Sequence, residues 1–194
     1  MMKTMALSVA CLTMWGYSHT VQAQTRPGYQ HKLLATNKTS TMEKEMNEAA
    51  EAGYQFDAVM GGDTAVGGSE VVVVVSRTAG SRPRYAYKLL ATSRTSTMQR
   101  ELQEAADLGF EYRGQTIFKA VFGGDEVVCI LERDKESTEP KPSYRLIATT
   151  RTSTLEKEMN EAGAAGYHII GMTVGKTAVG GREVVAITRR AGER

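Results

Sequence analysis

Between Tyr29 and Arg190 the apolar and polar positions follow one pattern that returns three times. Each copy opens on a short run rich in aromatic and aliphatic residues, Tyr29–Thr36 in the first, which reads as a strand. Met42, Met46, Ala49 and Ala50 then recur at the spacing that lays one apolar stripe along a helix. Residues 54–60 set Tyr54, Phe56 and Ala58 against Gln55 and Asp57, the period of a strand with one wet face. A glycine-bearing loop, Gly61–Gly68, leads to Val71–Val75, apolar at every position. Its counterparts are Val127–Leu131 and Val184–Ile187. A strand apolar on both sides belongs at the centre of its sheet, covered twice.

The three copies, Tyr29–Arg77, Tyr85–Arg133 and Ser143–Arg190, align without gaps. Lys32, Lys88 and Arg145 correspond at offsets of 56 and then 57, as do Gly53, Gly109 and Gly166. The shared string A-T-x-[KR]-T-S-T-[ML] stands at Ala35–Met42, Ala91–Met98 and Ala148–Leu155. Thr78–Arg84 and Asp134–Pro142 between them are rich in charge, Ser, Gly and Pro and read as linkers. None of the common solenoid signatures fits.

Ser40 with Glu43 three residues on predicts a capping box at the helix start, repeated by Ser96 with Gln99 and Ser153 with Glu156. Gly53 falls where a left-handed residue stops the helix, and Tyr54 can fold back on its last turn. Each copy therefore reads as strand–helix–strand–strand, with the third strand antiparallel between the first two. One helix covers only one face of the central strand, so the other must meet a further repeat or another copy of the chain. A unit of roughly 50 residues without metal or disulfide is also marginal alone. The expected fold is α+β: three tandem β-α-β-β repeats, each an antiparallel three-stranded sheet with one helix, packed together with sheet faces inward and helices outward, about a pseudo-threefold axis.

Composition narrows the function classes. In 194 residues, 41% hydrophobic and 24% charged positions describe a folded chain. Balanced charge (24 Lys+Arg against 22 Asp+Glu) without a basic run gives no footprint for nucleic acid. Two cysteines and three histidines exclude a disulfide scaffold and a Cys/His metal cluster. At the N-terminus, Lys3 precedes an apolar stretch from Met5 to Trp15, too short to span a bilayer, and small residues end at Ala23. Residues 1–23 read as a cleaved secretory signal with Gln24 the new terminus, so the protein is expected to be exported, periplasmic or secreted. The rival is a lipoprotein signal with Cys11 carrying the lipid. No later apolar run reaches membrane-spanning length.

The best site candidates are the loops before each helix. Lys38 with Thr39, Arg94 with Thr95, and Arg151 with Thr152 each stand at a helix N-terminus, where free N–H groups and the dipole favour a small anion such as phosphate or carboxylate. Helix capping beside a solvated cation explains the same residues. Gly175-Lys176-Thr177 resembles the end of a phosphate-binding loop, but Ile170 stands where that motif needs glycine, and the loop joins two strands. The glycine pairs Gly67-Gly68, Gly123-Gly124 and Gly180-Gly181 fit hairpin turns. His31 fills the slot of Tyr87 and Tyr144, His168 a polar strand slot, and Cys129 a core slot, so none reads as catalytic. Glu45, Glu101 and Glu158, with Glu48, Glu104 and Glu161, fit a solvated charge mosaic. Glu70, Glu126 and Glu183 enter the central strands and need partners, for which Lys32, Lys88 and Arg145 are the recurring candidates.

Tyr85-x-Tyr87-Lys88-Leu89-Leu90, the helix with Leu102-x-Glu104-Ala105 ending Gly109-Phe110-Glu111, and the valine-rich strand ending Glu132-Arg133 resemble a family of uncharacterised bacterial domains. In that family a W/Y-E-Y-K strand precedes an L-N-x-x-x-x-x-G-W/Y-E helix end. The resemblance covers all three repeats and implies no activity, substrate or catalytic residue. The element order is also similar to that of dodecin-type flavin binders, although no tryptophan remains after residue 23 to stack on a flavin. No cofactor or metal is implied. The expected role is non-enzymatic: binding an unknown protein or small ligand, with a homo-oligomer possible. The alternatives are a small-anion or ligand carrier using the loops before the helices, and an enzyme with its site at a repeat interface.

Overall fold

The computed structural model describes residues 28–64, 68–120, 124–176 and 181–192; the signal and lipoprotein readings, Gly67, Gly123, Gly180 and Thr177 lie outside them. The first repeat comprises β1 (Tyr29–Thr36), α1 (Thr39–Glu51), β2 (Gln55–Thr64) and β3 (Gly68–Thr78). The second comprises β4 (Tyr85–Thr92), α2 (Thr95–Asp107), β5 (Glu111–Ala120) and β6 (Gly124–Asp134). The third comprises β7 (Ser143–Thr149), α3 (Thr152–Ala164), β8 (His168–Lys176) and β9 (Arg182–Arg190). Each sheet is antiparallel with the all-apolar strand in the middle, in the orders β1-β3-β2, β4-β6-β5 and β7-β9-β8. The chain is thus an α+β protein of three tandem β-α-β-β repeats. No helix among the described residues is long and apolar enough to cross a membrane.

The helices end as their glycines dictate. Gly53, Gly109 and Gly166 hold φ of 82°, 83° and 82°, and the Tyr54 N–H returns to the Ala49 carbonyl at 3.0 Å. An arginine from the central strand then stacks on the aromatic that follows: Arg77 on Tyr54, Arg133 on Phe110, Arg190 on Tyr167. The helix starts differ from expectation. Lys38, Arg94 and Arg151 are the N-cap residues, and none of the three helices has a side-chain cap. The strand-ending Thr36 accepts the Lys38 N–H at 3.2 Å and turns the chain early. The helix therefore begins two residues before the capping box requires, and Glu43 lies a full turn inside it.

The displaced side chains hold the next repeat. Glu43 Oε2 accepts the Leu89 N–H at 2.8 Å. Asn47 accepts the Tyr87 N–H at 3.0 Å and donates to the Tyr87 carbonyl at 2.9 Å. One repeat later, Gln99 accepts the Leu146 N–H at 2.6 Å and donates to the Tyr144 carbonyl, and Gln103 accepts the Tyr144 N–H at 3.0 Å. Strands β4 and β7 are each an outer strand of a sheet, and these open backbone groups are satisfied by side chains of the preceding helix. So α1 and α2 are not only an outer layer; each is shared between its own sheet and the next.

The central strands explain why. Val127, Cys129 and Leu131 of β6 lie in one core with Met98 and Leu102 of α2, whereas Val128 and Ile130, on the opposite face, lie in the core of α1 with Met42 and Met46. In β9, Ala186 faces its own helix in a core with Leu155, while Ile187 enters the core of the second repeat. Both faces of β6 and β9 are covered, one of them by the preceding repeat. Among the described residues no repeat precedes β3. Val71, Val73 and Val75 are dry against α1, but Val72 and Val74 on the other face are only half-buried.

Register also corrects one expected pairing. Lys32 lies opposite Val75, Lys88 opposite Leu131 and Arg145 opposite Thr188. Glu70 is five residues along β3 from that point, roughly 17 Å at the rise of a strand, so the recurring Lys/Arg and Glu do not meet.

Candidate functional site

The six residues, each an N-cap cation and the first threonine of its helix, sit at equivalent places in three separate repeats. Lys38, Arg94, Arg151 and Thr152 are exposed, and Thr39 and Thr95 half-buried. A threonine at the strand end shapes each loop: Thr92 accepts the Arg94 N–H at 3.3 Å and Thr149 the Arg151 N–H at 3.1 Å. At α2 an anion is already present in the chain, since the Thr95 hydroxyl donates to Glu183 Oε1 at 2.6 Å. Gly175 stands in contact with the Thr95 hydroxyl, and any side chain at 175 would displace it. The partner of Glu183 is therefore a helix-end threonine of the preceding repeat. Ser93, Ile117, Glu126, Val174 and Arg182 line a small cavity beside this contact.

The most buried charge lies elsewhere. Glu132, 6% exposed, accepts the Tyr87 hydroxyl proton at 2.7 Å, stands 3.3 Å from Arg113, and is 3.5 Å from the Gln55 amide. The Tyr87 hydroxyl also accepts the N–H of Phe56 at 2.8 Å, next to the bulge at Asp57. Burial, with the Glu132 carboxylate beside it, holds that hydroxyl far above the usual tyrosine range. A buried carboxylate, a tyrosine and an arginine in one cluster are groups that proton-transfer chemistry uses. Here each has a structural task. In the next interface the Tyr144 hydroxyl accepts the Tyr112 N–H at 2.7 Å, and Arg189 pairs with Glu111 at 2.8 Å. Arg189 aligns with Glu132 and Glu111 with Gln55, so the same bridge is built twice with different charges. It joins repeats.

Sequence reasoning missed Glu132 because it does not recur: Ser76 and Arg189 fill its slot. The signal available was a lone acid directly ending a run of five apolar residues. The other flagged groups are placed simply. Lys44–Glu48, Arg100–Glu104 and Lys157–Glu161 are exposed pairs along the helices. His31 is exposed, 3.7 Å from Asp57, and His168 is exposed on β8. No group of three or more potential metal ligands occurs among the described residues.

Cys129 is fully buried, and burial, with Glu101 next in effect, pushes its thiol up to about 12. The native protein should leave this thiol unmodified by a colourimetric disulfide reagent at pH 8 and release it stoichiometrically in denaturant. Rapid native reaction would contradict the placement.

Comparison with known proteins gives no match to a family model, a curated protein or a solved structure.

Proposed function

We propose that the protein is an exported, non-enzymatic interaction protein whose working surfaces are its two terminal repeats. One observation supports this reading above others. Of eight large apolar side chains left exposed among the described residues, six lie on the end sheets. Tyr29, Leu33 and Met60, 68%, 65% and 57% exposed, share the open face of the first sheet by register. Ile169, Met172 and Val174 share the helix side of the third. Contiguous exposed apolar surface marks interaction sites. The one buried charged side chain among the described residues, Glu132, is by contrast spent on a bridge between repeats. The likeness to uncharacterised bacterial domains is consistent with this and adds no activity.

Photo-cross-linking residues placed at Leu33 and at Met172 in the producing cells should give discrete adducts with an identifiable protein, and the same group at Lys44, on the wet face of α1, should not. No adduct from either end would overturn the reading. Export itself is tested by intact mass, which should begin at Gln24.

The carrier reading is second, favoured by three helix N-termini without a side-chain cap. It requires phosphate binding that Lys38→Glu, Arg94→Glu and Arg151→Glu together abolish.

A further inference from the structure

The two ends of the chain are halves of an interface that the chain already builds twice. Within the molecule, a helix presents two polar side chains one turn apart to the outer strand of the following repeat. On α3 the same two positions are Glu156 and Asn160, both exposed, and neither side chain takes part in a hydrogen bond or ion pair among the described residues. On β1 the strand positions are His31 and Leu33, whose outward N–H groups face solvent by the same register. The sequence match is closer than between neighbouring repeats. Residues 43–49, whose Glu43 and Asn47 hold Leu89 and Tyr87, recur without change at 156–162, and K-L-L-A-T of 88–92 recurs without change at 32–36, with His31 in the place of Tyr87.

We propose that α3 of one molecule docks on β1 of a second copy of this chain, repeating between molecules the contact that α1 makes with β4. The reading of the ends as binding surfaces underlies this, and the inference names their occupant. Steric detail agrees. At the internal contacts a glycine of one sheet faces an aromatic of the preceding one: a Cβ on Gly114 would lie 3.3 Å from the Phe56 ring, and one on Gly171 would lie 2.6 Å from the Tyr112 hydroxyl. The corresponding residue of the first repeat is Ala58, and the residue it would face on α3's sheet is Ile169, smaller than either ring. A larger residue on one side is matched by a smaller one on the other. Repeat proteins that stop at their own ends carry polar terminal repeats; both ends here keep the apolar pattern of the interior. One internal bond is missing, because His31 stands where Tyr87 and Tyr144 send a hydroxyl to the preceding bulge. The contact between molecules is therefore weaker than those within one, in the range of reversible association.

Such a contact joins two different surfaces, so it propagates into a ring or a filament and does not stop at a symmetric pair. Sedimentation of the purified protein between about 1 and about 100 μM, the span of weak interfaces, should show its average mass rising with concentration. Glu156→Ala with Asn160→Arg, or Leu33→Glu, should each weaken association at least tenfold while leaving the melting curve of dilute protein unchanged. Because the two variants spoil opposite ends, mixing them should give a one-to-one dimer that neither forms alone. A protein monomeric throughout this range, or a mixture that stays monomeric, overturns the self-docking. Cross-links from Leu33 to a different protein would overturn it as well, yet leave the reading of the ends as interaction surfaces standing; absence of any cross-link would remove both.

Discussion

Ile130→Asp should leave the chain unable to fold cooperatively. The side chain is fully buried, yet it faces away from the helix of its own repeat, into the core formed by Met42 and Met46 of the first. An aspartate there is a carboxylate with no partner among aliphatic neighbours, which costs about 4 kcal/mol or more, against a total stability of about 5–15 kcal/mol for a domain. The control is Val74→Asp at the matching position of the first repeat. Val74 is half-buried and, in the dilute monomer, no preceding repeat lies against it among the described residues. That change should cost about 1 kcal/mol, as a partly wet substitution does. Chemical denaturation of both variants checks the difference. Equal costs would mean that the face of β6 turned to the first repeat is not where the stability lies.

Tyr87→Ala should cost about 4 kcal/mol, the loss for a large buried aromatic together with its hydrogen bonds. The ring is 3% exposed and lies in the first repeat's core although its strand belongs to the second. Removing it opens a void, strands the buried Phe56 N–H and takes from Glu132 its shortest hydrogen bond, leaving Arg113 and Gln55 beside the carboxylate. Tyr87→Phe separates the contributions: the ring stays, the Phe56 N–H loses its partner, Glu132 loses one of its three, and about 2 kcal/mol should remain as the cost. Denaturant midpoints for the pair measure this. If Tyr87→Phe proved neutral, the hydroxyl bridge would have no energetic weight and the repeats would be held by packing alone.

These expectations rest on features that were unequally legible in the sequence. The runs Val71–Val75 and Val127–Leu131 announced central strands because alternating side chains point to opposite faces, and five successive apolar residues leave no wet face. Gly53, Gly109 and Gly166 announced the helix ends because a left-handed residue is needed there. The helix starts were misread. Ser40 and Glu43 have the spacing of a capping box, but spacing cannot show that Thr36 turns the chain two residues early and frees Glu43 for the Leu89 N–H. The pairing of Lys32 with Glu70 failed for a related reason, since their recurrence carries no register. At the candidate sites, the sequence marks Thr95 as a helix-end group, whereas the residue it bonds, Glu183, comes from a strand 88 residues away and could not be read locally. The exposed ends were invisible for the same reason that the repeat was plain: three copies of one pattern look equivalent until their order decides which faces have a neighbour.

Amide hydrogen exchange on β1, β4 and β7 tests the whole picture most directly. All three are outer strands of three-stranded sheets, and a self-sufficient repeat would let their outward N–H groups exchange quickly and alike. With the preceding helix clamping the strand, the amides of Tyr87, Leu89, Tyr144 and Leu146 should be strongly protected in dilute monomeric protein, while those of His31 and Leu33 exchange at near-free rates. Six amides exchanging at one common fast rate would contradict it.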